Sequence, residues 1–181
     1  MTEAGNPLIA IAAPDAAGLA ASRERLAAIL HGCVHEGASV GFVLPFAIAE
    51  ACAYWRDKVA PAHAAGRLVL IATMDDIIVG TAQLDYDGMP SKQHHAEVSK
   101  VLVDPNFRRR GVALALMREL ERRAGEAGRW LLTLDTAGDS AEALYRLIGY
   151  ELAGAIPSYA RHAFEDRYEE TRLMYKDLRA R

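Results

Sequence analysis

A short basic segment, Arg108 to Ala113, has the composition of an anion-binding turn. It follows a strand predicted to end at Val103 and opens a predicted helix, and helix N-termini expose unpaired N–H groups with a partial positive charge. Gly111 and Ala113 are small enough for a phosphate to approach the backbone. The three arginines of the segment place positive charge where the helix dipole favours acidic side chains, which costs helix stability unless an anion is bound. The alternative interpretation is a solvated basic cluster at the start of a helix.

Two other glycine-rich nucleotide-binding patterns, the Walker loop and the Gly-x-Gly-x-x-Gly fingerprint, are absent from the sequence. The segment instead resembles the cofactor signature of the GNAT superfamily of acetyltransferases, Gln/Arg-x-x-Gly-x-Gly/Ala, which directly follows a strand end with valine and proline. Here these two residues are Val103 and Pro105. A second GNAT element, a helix ending in Leu-Tyr-x-x-x-Gly-Phe/Tyr, corresponds to Leu144 to Tyr150. Together the two elements cover Glu97 to Tyr150.

Four shorter segments are similar to the tabtoxin-resistance type of bacterial GNAT enzyme, namely residues 37–40, 96–100, 134–136 and 156–160. The resemblance implies a mixed α/β fold, in which a mostly antiparallel sheet of about six to seven strands is flanked by about four helices. It implies that the sheet is splayed between its two central strands. It also implies a single acetyltransferase domain over residues 1–181.

The resemblance further implies that acetyl-CoA binds as a co-substrate. The backbone of Arg109 to Ala113 would hold its pyrophosphate, and the edge of Val101 to Val103 would hydrogen-bond its pantetheine arm like an added strand. A charge at a helix terminus contributes about 0.3–2 kcal/mol, whereas micromolar binding requires roughly 8 kcal/mol, so the turn needs the help of the arm. The expected cofactor-binding residues are Val101, Leu102, Val103, Arg108, Arg109, Arg110, Gly111, Val112, Ala113, Ser140 and Tyr145.

Two carboxylates on neighbouring predicted strands, Glu97 and Asp135, are candidate proton acceptors. An alkyl amine with a pKa near 10.4 is mostly protonated at neutral pH, and exposing its lone pair costs about 4–5 kcal/mol. A carboxylate could bind such a cation and remove its proton, directly or through water. The alternatives are an exposed Glu97 paired with Lys100, and an Asp135 that caps a loop after Leu134. The resemblance implies that Tyr145 donates a hydrogen bond or a proton to the departing CoA thiolate. The alternative is that Tyr145 is an aromatic residue packed in the core.

The predicted function is transfer of the acetyl group of acetyl-CoA directly to a primary amine of a small molecule. The two alternatives are a CoA-binding regulatory module without turnover and a protein N-terminal acetyltransferase. Two histidine pairs, His31 with His35 and His94 with His95, lack a carboxylate at ligand spacing, so we expect no metal. Phe42, Tyr54 and Trp55 could line an acceptor pocket or belong to the core. Pairing of two copies through the last strands stays open.

The elements that must position these residues follow a mixed α/β order. The two clearest signals are an amphipathic helix from Gly111 to Ala127 and a hairpin that turns at Asp75 and Asp76. The other predicted strands are Leu8–Ala12, His94–Val103, Trp130–Leu134, Glu151–Ala155 and Thr171–Tyr175. The other predicted helices run from a cap at Asp15 to His31, from Pro45 to Lys58 with a stop at Pro61, and from a capping box at Asp139 and Glu142 to Ile148.

The composition is that of an ordinary folded protein, with 51% hydrophobic and 25% charged residues among 181. A formal net charge of −3 gives no general attraction to nucleic acid or to an anionic membrane. Cys33 and Cys52 form no ligand or disulfide pattern and are interpreted as buried free thiols. The N-terminus lacks a basic stretch followed by a long apolar one, so we expect a cytoplasmic protein without membrane or nucleic-acid partners.

Overall fold

Seven strands form one sheet in a computed structural model of the chain, which describes residues 8–86 and 88–179. The strand order is β1-β2-β3-β4-β5-β7-β6, and every neighbouring pair is antiparallel except β4 and β5, which are parallel. The strands are β1 (Ile9–Ala12), β2 (Leu68–Met74), β3 (Ile77–Tyr86), β4 (His95–Val103), β5 (Leu131–Thr136), β6 (Glu151–Arg161) and β7 (Tyr168–Asp177). The expected mixed, mostly antiparallel sheet is confirmed.

Helices cover the two faces of the sheet. They are α1 (Ala16–His35), α2 (Ile48–Tyr54), α3 (Ala60–Ala64), α4 (Val112–Glu126) and α5 (Asp139–Leu147). A π-helical turn over Trp55–Val59 joins α2 to α3 without a break, so the described chain contains four continuous helical units. Residues of α1 and α2 pack on one face, and residues of α4 and α5 pack on the other.

The side of α4 that faces the sheet is the one that the sequence periodicity predicts. Its buried residues are Val112, Leu116, Met117, Leu120 and Ala124. Gly80 on β3 lets the helix approach closely, because a Cβ atom there would lie 2.9 Å from both the Leu102 carbonyl oxygen and Val112 Cγ1. The start of α4 is therefore held tightly against the centre of the sheet.

Several predicted boundaries are confirmed by local geometry. The Asp15 carboxylate accepts a hydrogen bond of 2.7 Å from Gly18 N and caps α1, although the helix continues past His31 to His35. Asp75 and Asp76 have φ values of 49° and 63°, as a two-residue hairpin turn requires. Gly149, with φ of 90°, follows α5 as the predicted stop.

The predicted stop at Pro61 is wrong, because the helix continues through it. In the wide turn before the proline, the Ala60 N–H bonds to the Trp55 carbonyl. This turn interrupts the regular i to i−4 pattern, so Pro61 lies in the first turn of α3, where its missing N–H costs little.

The predicted capping box of α5 is also wrong. Gly138 is the N-cap residue, and no side chain caps the helix. The carboxylates of Asp139 and Glu142 accept hydrogen bonds of 2.7 and 2.5 Å from Arg172 on β7. An ion pair to a neighbouring strand thus takes the place of the predicted cap.

Candidate active site

β4 and β5 separate partway along their length and leave an open edge between them. Their paired residues are His95 with Leu131, Ala96 with Leu132 and Glu97 with Thr133. Within the described chain no further pair joins these strands, although β4 continues to Val103 and β5 to Thr136. The backbone of Val101, Leu102 and Val103 therefore has no strand partner on the β5 side. The expected splay between the central strands is confirmed.

A β-bulge lies in β4 at this opening. The register to β3 shifts between Ser99, which faces Gln83, and Leu102, which faces Thr81. Lys100 lies in the bulge with a left-handed φ of 50°. Ahead of the bulge Val98 packs on the α4 side of the sheet, and beyond it Leu102 packs on the α1 side. The bulge therefore reverses which side chains of β4 face each helix layer.

The basic segment forms the turn between β4 and α4. Arg109 has φ of 62°, and Gly111, the N-cap residue of α4, has φ of 83°. No side chain caps this helix, and Ala115 N is the donor to the Gly111 carbonyl, at 3.0 Å. The N–H groups of Val112, Ala113 and Leu114 consequently have no carbonyl partner within the helix. Arg108, Arg109 and Arg110 are all exposed around them.

Two of these arginines contact neighbouring side chains. The Arg110 guanidinium lies 5.1 Å from the centre of the Phe107 ring, and Arg108 Nη1 lies 4.0 Å from Glu36 Oε2. Arg108 also lies near the Cys33 thiol, whose pKa is raised by burial and lowered to a lesser extent by Arg108. The guanidiniums are thus only loosely held at the turn.

Asp104 fixes the beginning of the same turn from inside the protein. Its carboxylate accepts hydrogen bonds from Asn106 N at 2.8 Å and Asn106 Nδ2 at 3.1 Å, and it pairs with Arg25 of α1. Arg25 Nε also donates to the Ile78 carbonyl at 2.8 Å. The start of the turn is therefore connected to both α1 and β3.

Glu97 and Asp135 lie on one face of the sheet. Ala96 and Val98 on β4, and Leu132 and Leu134 on β5, are buried on the α4 side. Because side chains alternate along a strand, Glu97 and Asp135 project to the opposite side. Asp135 lies two positions beyond Thr133, the partner of Glu97. Both carboxylates are exposed on that side of the sheet.

The two alternative roles, an ion pair of Glu97 with Lys100 and a loop cap at Asp135, do not match the geometry. Within the described residues no ion pair of 4.0 Å or less joins Glu97 to Lys100 or to any other cation. Asp135 is not a loop cap, since β5 extends to Thr136 and the Asp135 carboxylate accepts a hydrogen bond of 3.2 Å from Thr171 Oγ1 on β7.

Tyr145 lies on α5, in the helix layer on the other side of the sheet. Its side chain is 7% exposed and packs in the core with Tyr150, at 5.8 Å between ring centres. Burial, and secondarily the negative charge of Asp135, raise the pKa of Tyr145 to about 12. Tyr145 is thus packed in the core, which is the alternative interpretation of this residue. Its hydroxyl makes no hydrogen bond to another described residue. Ser140 is exposed in the first turn of α5.

Asp135 is the residue that links the candidate groups. Its negative charge adds to the raised pKa of Tyr145 and partly offsets the lowering of the pKa of Lys100 by burial. Glu97 joins this cluster through its electrostatic effect on Lys100. The turn between β4 and α4 lies at the far end of β4 from Glu97. Within the described residues, no hydrogen bond joins Ser140 to Glu97, Asp135 or Tyr145.

The sequence did not indicate that Lys100 and Arg25 belong to the site. Lys100 entered the sequence interpretation only as a partner of Glu97, because strand alternation gives no sign of the bulge. The pairing of Arg25 with Asp104 joins residues far apart in the chain, and no local feature of the sequence distinguishes Arg25 from Arg23 in the same helix. Of the aromatic residues, Trp55 is buried in the core, whereas Phe42 and Tyr54 are half-buried and 5.3 Å apart.

The described residues contain no cluster of three or more potential metal ligands. The His31 and His35 rings stack at 4.0 Å between their centres. Cys33 and Cys52 form no disulfide; Cys33 is buried as expected, and Cys52 is only half-buried. Among residues 8–86 and 88–179, no helix combines the length and apolar character needed to cross a bilayer.

Comparison with known proteins identifies the class to which this fold and site belong. Residues 25–150 match the Acetyltransferase (GNAT) family. The chain is therefore a member of the GNAT acetyltransferase family. The L-amino acid N-acetyltransferase AaaT of Escherichia coli K12 is 31% identical over 112 residues, a match that spans 59% of this chain and 65% of the length of that relative.

Two solved structures show the same fold at low sequence identity. The ribosomal-protein-alanine N-acetyltransferase of Brucella melitensis has a TM-score of 0.75 at 24% identity, covering 93% of this chain and 99% of that one. A phosphinothricin acetyltransferase of Sinorhizobium meliloti, solved in complex with AcCoA, has a TM-score of 0.74 at 22% identity, covering 94% and 88% of the two chains. These similarities support the fold.

Proposed function

We propose that the protein transfers the acetyl group of acetyl-CoA directly to a primary amine of a small molecule. The observation that carries this proposal is the separation of β4 from β5 beyond Glu97 and Thr133, which opens a slot that leads to the uncapped start of α4. The slot exposes an unpaired strand edge, a set of helix N–H groups and a pair of carboxylates in one region. The E. coli relative, named as an L-amino acid N-acetyltransferase, supports a small amine as the acceptor.

The residues of the turn fit a CoA pyrophosphate. The unpaired N–H groups of Val112, Ala113 and Leu114 point from the positive end of a helix dipole, and the exposed Arg108, Arg109 and Arg110 surround them. The free edge of Val101 to Val103 fits an extended, amide-containing arm that pairs as an added strand. Acetyl-CoA supplies an activated acetyl group as a thioester, and these residues would hold and orient it.

The carboxylates and the tyrosine would manage the protons of the reaction. Glu97 or Asp135 would bind the acceptor ammonium and accept its proton, which costs about 4–5 kcal/mol at neutral pH. The neutral amine nitrogen then forms the bond to the acetyl carbon, and the carbon–sulfur bond breaks. Tyr145, whose pKa is raised to about 12, is protonated at neutral pH as an ordinary tyrosine is, and its hydroxyl can donate a proton to the departing thiolate. The nitrogen becomes acidic once its bond to the acetyl carbon forms, and its second proton then passes through solvent to Tyr145, which leaves a neutral amide.

A turnover screen tests the proposal. Thiol release from acetyl-CoA is measured with amino acids, amine antibiotics, polyamines and peptides as acceptors. For the best acceptor, Glu97→Gln and Asp135→Asn should each be compared with wild type, and the proton-accepting residue should lose about 10²–10⁴-fold in kcat. Glu126→Gln, which changes an exposed carboxylate at the distant end of α4, serves as the matched control and should keep full activity.

Three outcomes separate the competing functions. Acetyl-CoA binding without thiol release for any amine contradicts the proposal and favours a regulatory module. Release with peptides alone favours a protein N-terminal acetyltransferase. Full activity of both carboxylate variants contradicts the assigned proton acceptors.

A further inference from the structure

Lys100 lies in the β4 bulge, beyond the point at which β4 and β5 separate. Its Nζ lies 5.9 Å from the centre of the Tyr54 ring on α2, and a Cβ atom at Gly41 would lie 3.8 Å from it. Asp135 and Glu97 both act on its charge. Four parts of the fold therefore converge on one ammonium group: β4, the end of β5, α2 and the connection before α2.

The charge of Lys100 has no close partner. No carboxylate among the described residues lies within 4.0 Å of its Nζ, yet the side chain is half-buried. Burial, the main effect, lowers the pKa of Lys100, with the nearby Arg67 acting in the same direction. Lysine is rarely buried without an ion pair, because desolvation of the ammonium is costly. A bound anion would offset that cost.

The other cations on this part of the sheet are already paired. Arg67 Nε contacts Asp85 at 2.5 Å and Arg67 Nη1 donates to Gln83 Oε1 at 3.1 Å. On β7, Arg172 binds Asp139 and Glu142, and Lys176 binds Glu121 at 2.7 Å. Lys100 is thus the cation of this region that is open to an incoming anionic group.

We propose that Lys100 binds an acidic group of the acceptor, so that the substrate is an amine that also carries a carboxylate. This inference rests on the proposed acetyl transfer and adds the substrate class and the residue that selects it. The acceptor would lie across the opening, with its ammonium towards Glu97 and Asp135 and its carboxylate on Lys100. The two charge signs of the site match the two of an amino acid. Tyr54 and Phe42 would form an aromatic wall beside it.

A paired substrate series tests this assignment. Each of the common L-amino acids and its α-carboxamide are compared as acceptors by thiol release, and the ratio of kcat/KM for acid over amide is determined for the best pair. Lys100→Met keeps an unbranched side chain of similar length and removes the charge. We expect this variant to lower the ratio by about 10–100-fold, the loss of one charge-assisted contact. Because each substrate is compared between two proteins, its intrinsic basicity cancels.

Lys100→Arg separates charge recognition from proton transfer. An arginine retains the cation but does not give up its proton at neutral pH, so it should restore most of the acid preference. If Lys100→Met lowered kcat/KM equally for acid and amide, and Lys100→Arg did not restore it, Lys100 would be a proton carrier. That result would overturn the assignment. An unchanged ratio in Lys100→Met would also overturn it.

The same experiment distinguishes failure of this inference from failure of the proposed function. If the amides are acetylated but the acid preference does not depend on Lys100, acetyl transfer stands and the role of Lys100 is wrong. If neither acids nor amides support thiol release, the proposed function itself is contradicted. Acetyl-CoA affinity, measured by isothermal titration calorimetry in all three proteins, reports that the cofactor site is intact.

Discussion

Arg25 on α1 forms an ion pair with Asp104, the residue that directly follows β4 and begins the turn between β4 and α4. The Asp104 side chain is 7% exposed. Arg25 also donates to the Ile78 carbonyl, and Asp104 also accepts from Asn106 N. A helix that packs on one face of the sheet is thereby bonded to the segment that would hold the cofactor. The shape of the turn thus depends on α1.

Asp104→Asn should destabilise the protein and weaken acetyl-CoA binding. The change leaves Arg25 without its anion, and we expect a loss of about 1–2 kcal/mol in the free energy of unfolding, moderated by the partial exposure of Arg25. Urea unfolding measures the loss. Arg122→Ala, which breaks exposed pairs on α4 with Glu119 and Glu126, is the control and should cost less than about 0.5 kcal/mol.

The same variant should change the acid sensitivity of the protein. Burial acts to raise the pKa of Asp104, but hydrogen bonds from Asn106 and Arg25 outweigh it and lower the pKa below its usual value. A lowered carboxyl pKa stabilises the folded state above the unfolded-state pKa, and this stability is lost as the pH falls. The stability difference between wild type and Asp104→Asn should therefore shrink below about pH 4. A constant difference would contradict this role of Asp104.

Gly111→Asp should reduce acetyl-CoA affinity by at least about 100-fold. The new carboxylate would bond the N–H groups at the start of α4 and repel phosphate. Space is not limiting, since the nearest atom to a Cβ there is Ile9 Cδ1 at 3.9 Å, but φ of 83° adds backbone strain of about 1–2 kcal/mol. Gly128→Asp has the same kind of strain at the other end of α4, with φ of 72° and open space. Calorimetry should show normal affinity for this control, and equal losses would contradict the turn assignment.

The parts of the site that the sequence predicts are those set by neighbours in the chain. The turn from Arg108 to Ala113 is local, because the strand end, the glycine and the helix periodicity all lie within one stretch. The hairpin at Asp75 and Asp76 is local in the same sense. For such segments, residue type and spacing predict where the turn lies and where the helix begins.

The parts that the sequence did not predict depend on distant partners. The bulge at Lys100 exists because β4 and β3 shift register, and neither strand alone signals it. The strands Glu151–Arg161 and Tyr168–Asp177 extend well beyond their predicted lengths. Glycine, proline and mostly exposed side chains hide the alternation in β6, and its pairing with β7 forms the strand.

Gly80→Ala should destabilise the protein by about 1–3 kcal/mol, the usual cost of overpacking a core. Its Cβ would lie 2.9 Å from the Leu102 carbonyl and from Val112, which would move the start of α4 away from the sheet. We therefore also expect weaker acetyl-CoA binding. Gly154→Ala, in β6 with no atom within 4 Å of the new Cβ, is the matched control. Equal urea midpoints for the two variants would contradict the close packing of α4.

Tyr145→Phe should change how stability depends on alkaline pH. Burial, and to a lesser extent Asp135, raise the pKa of Tyr145 from 10.0 to about 12. A raised pKa means that the stability of the folded state is fully present below the unfolded-state pKa and is lost as the pH rises towards the folded-state pKa. Between about pH 10 and pH 12, the free energy of unfolding of wild type should thus fall by about 1.4 kcal/mol per pH unit because of Tyr145. The variant should not show this contribution.

Urea unfolding of both proteins at pH 8 and pH 11 measures this difference. At pH 8 the two should be similar, because the hydroxyl makes no hydrogen bond to another described residue and its removal breaks no contact. By pH 11 Tyr145→Phe should be more stable than wild type by about 1 kcal/mol. Tyr168, whose side chain is 67% exposed on β7, provides the matched Tyr→Phe control. If the relative stability of wild type and Tyr145→Phe were the same at both pH values, the Tyr145 hydroxyl would have to be solvated in the folded protein, which would contradict its burial in the core.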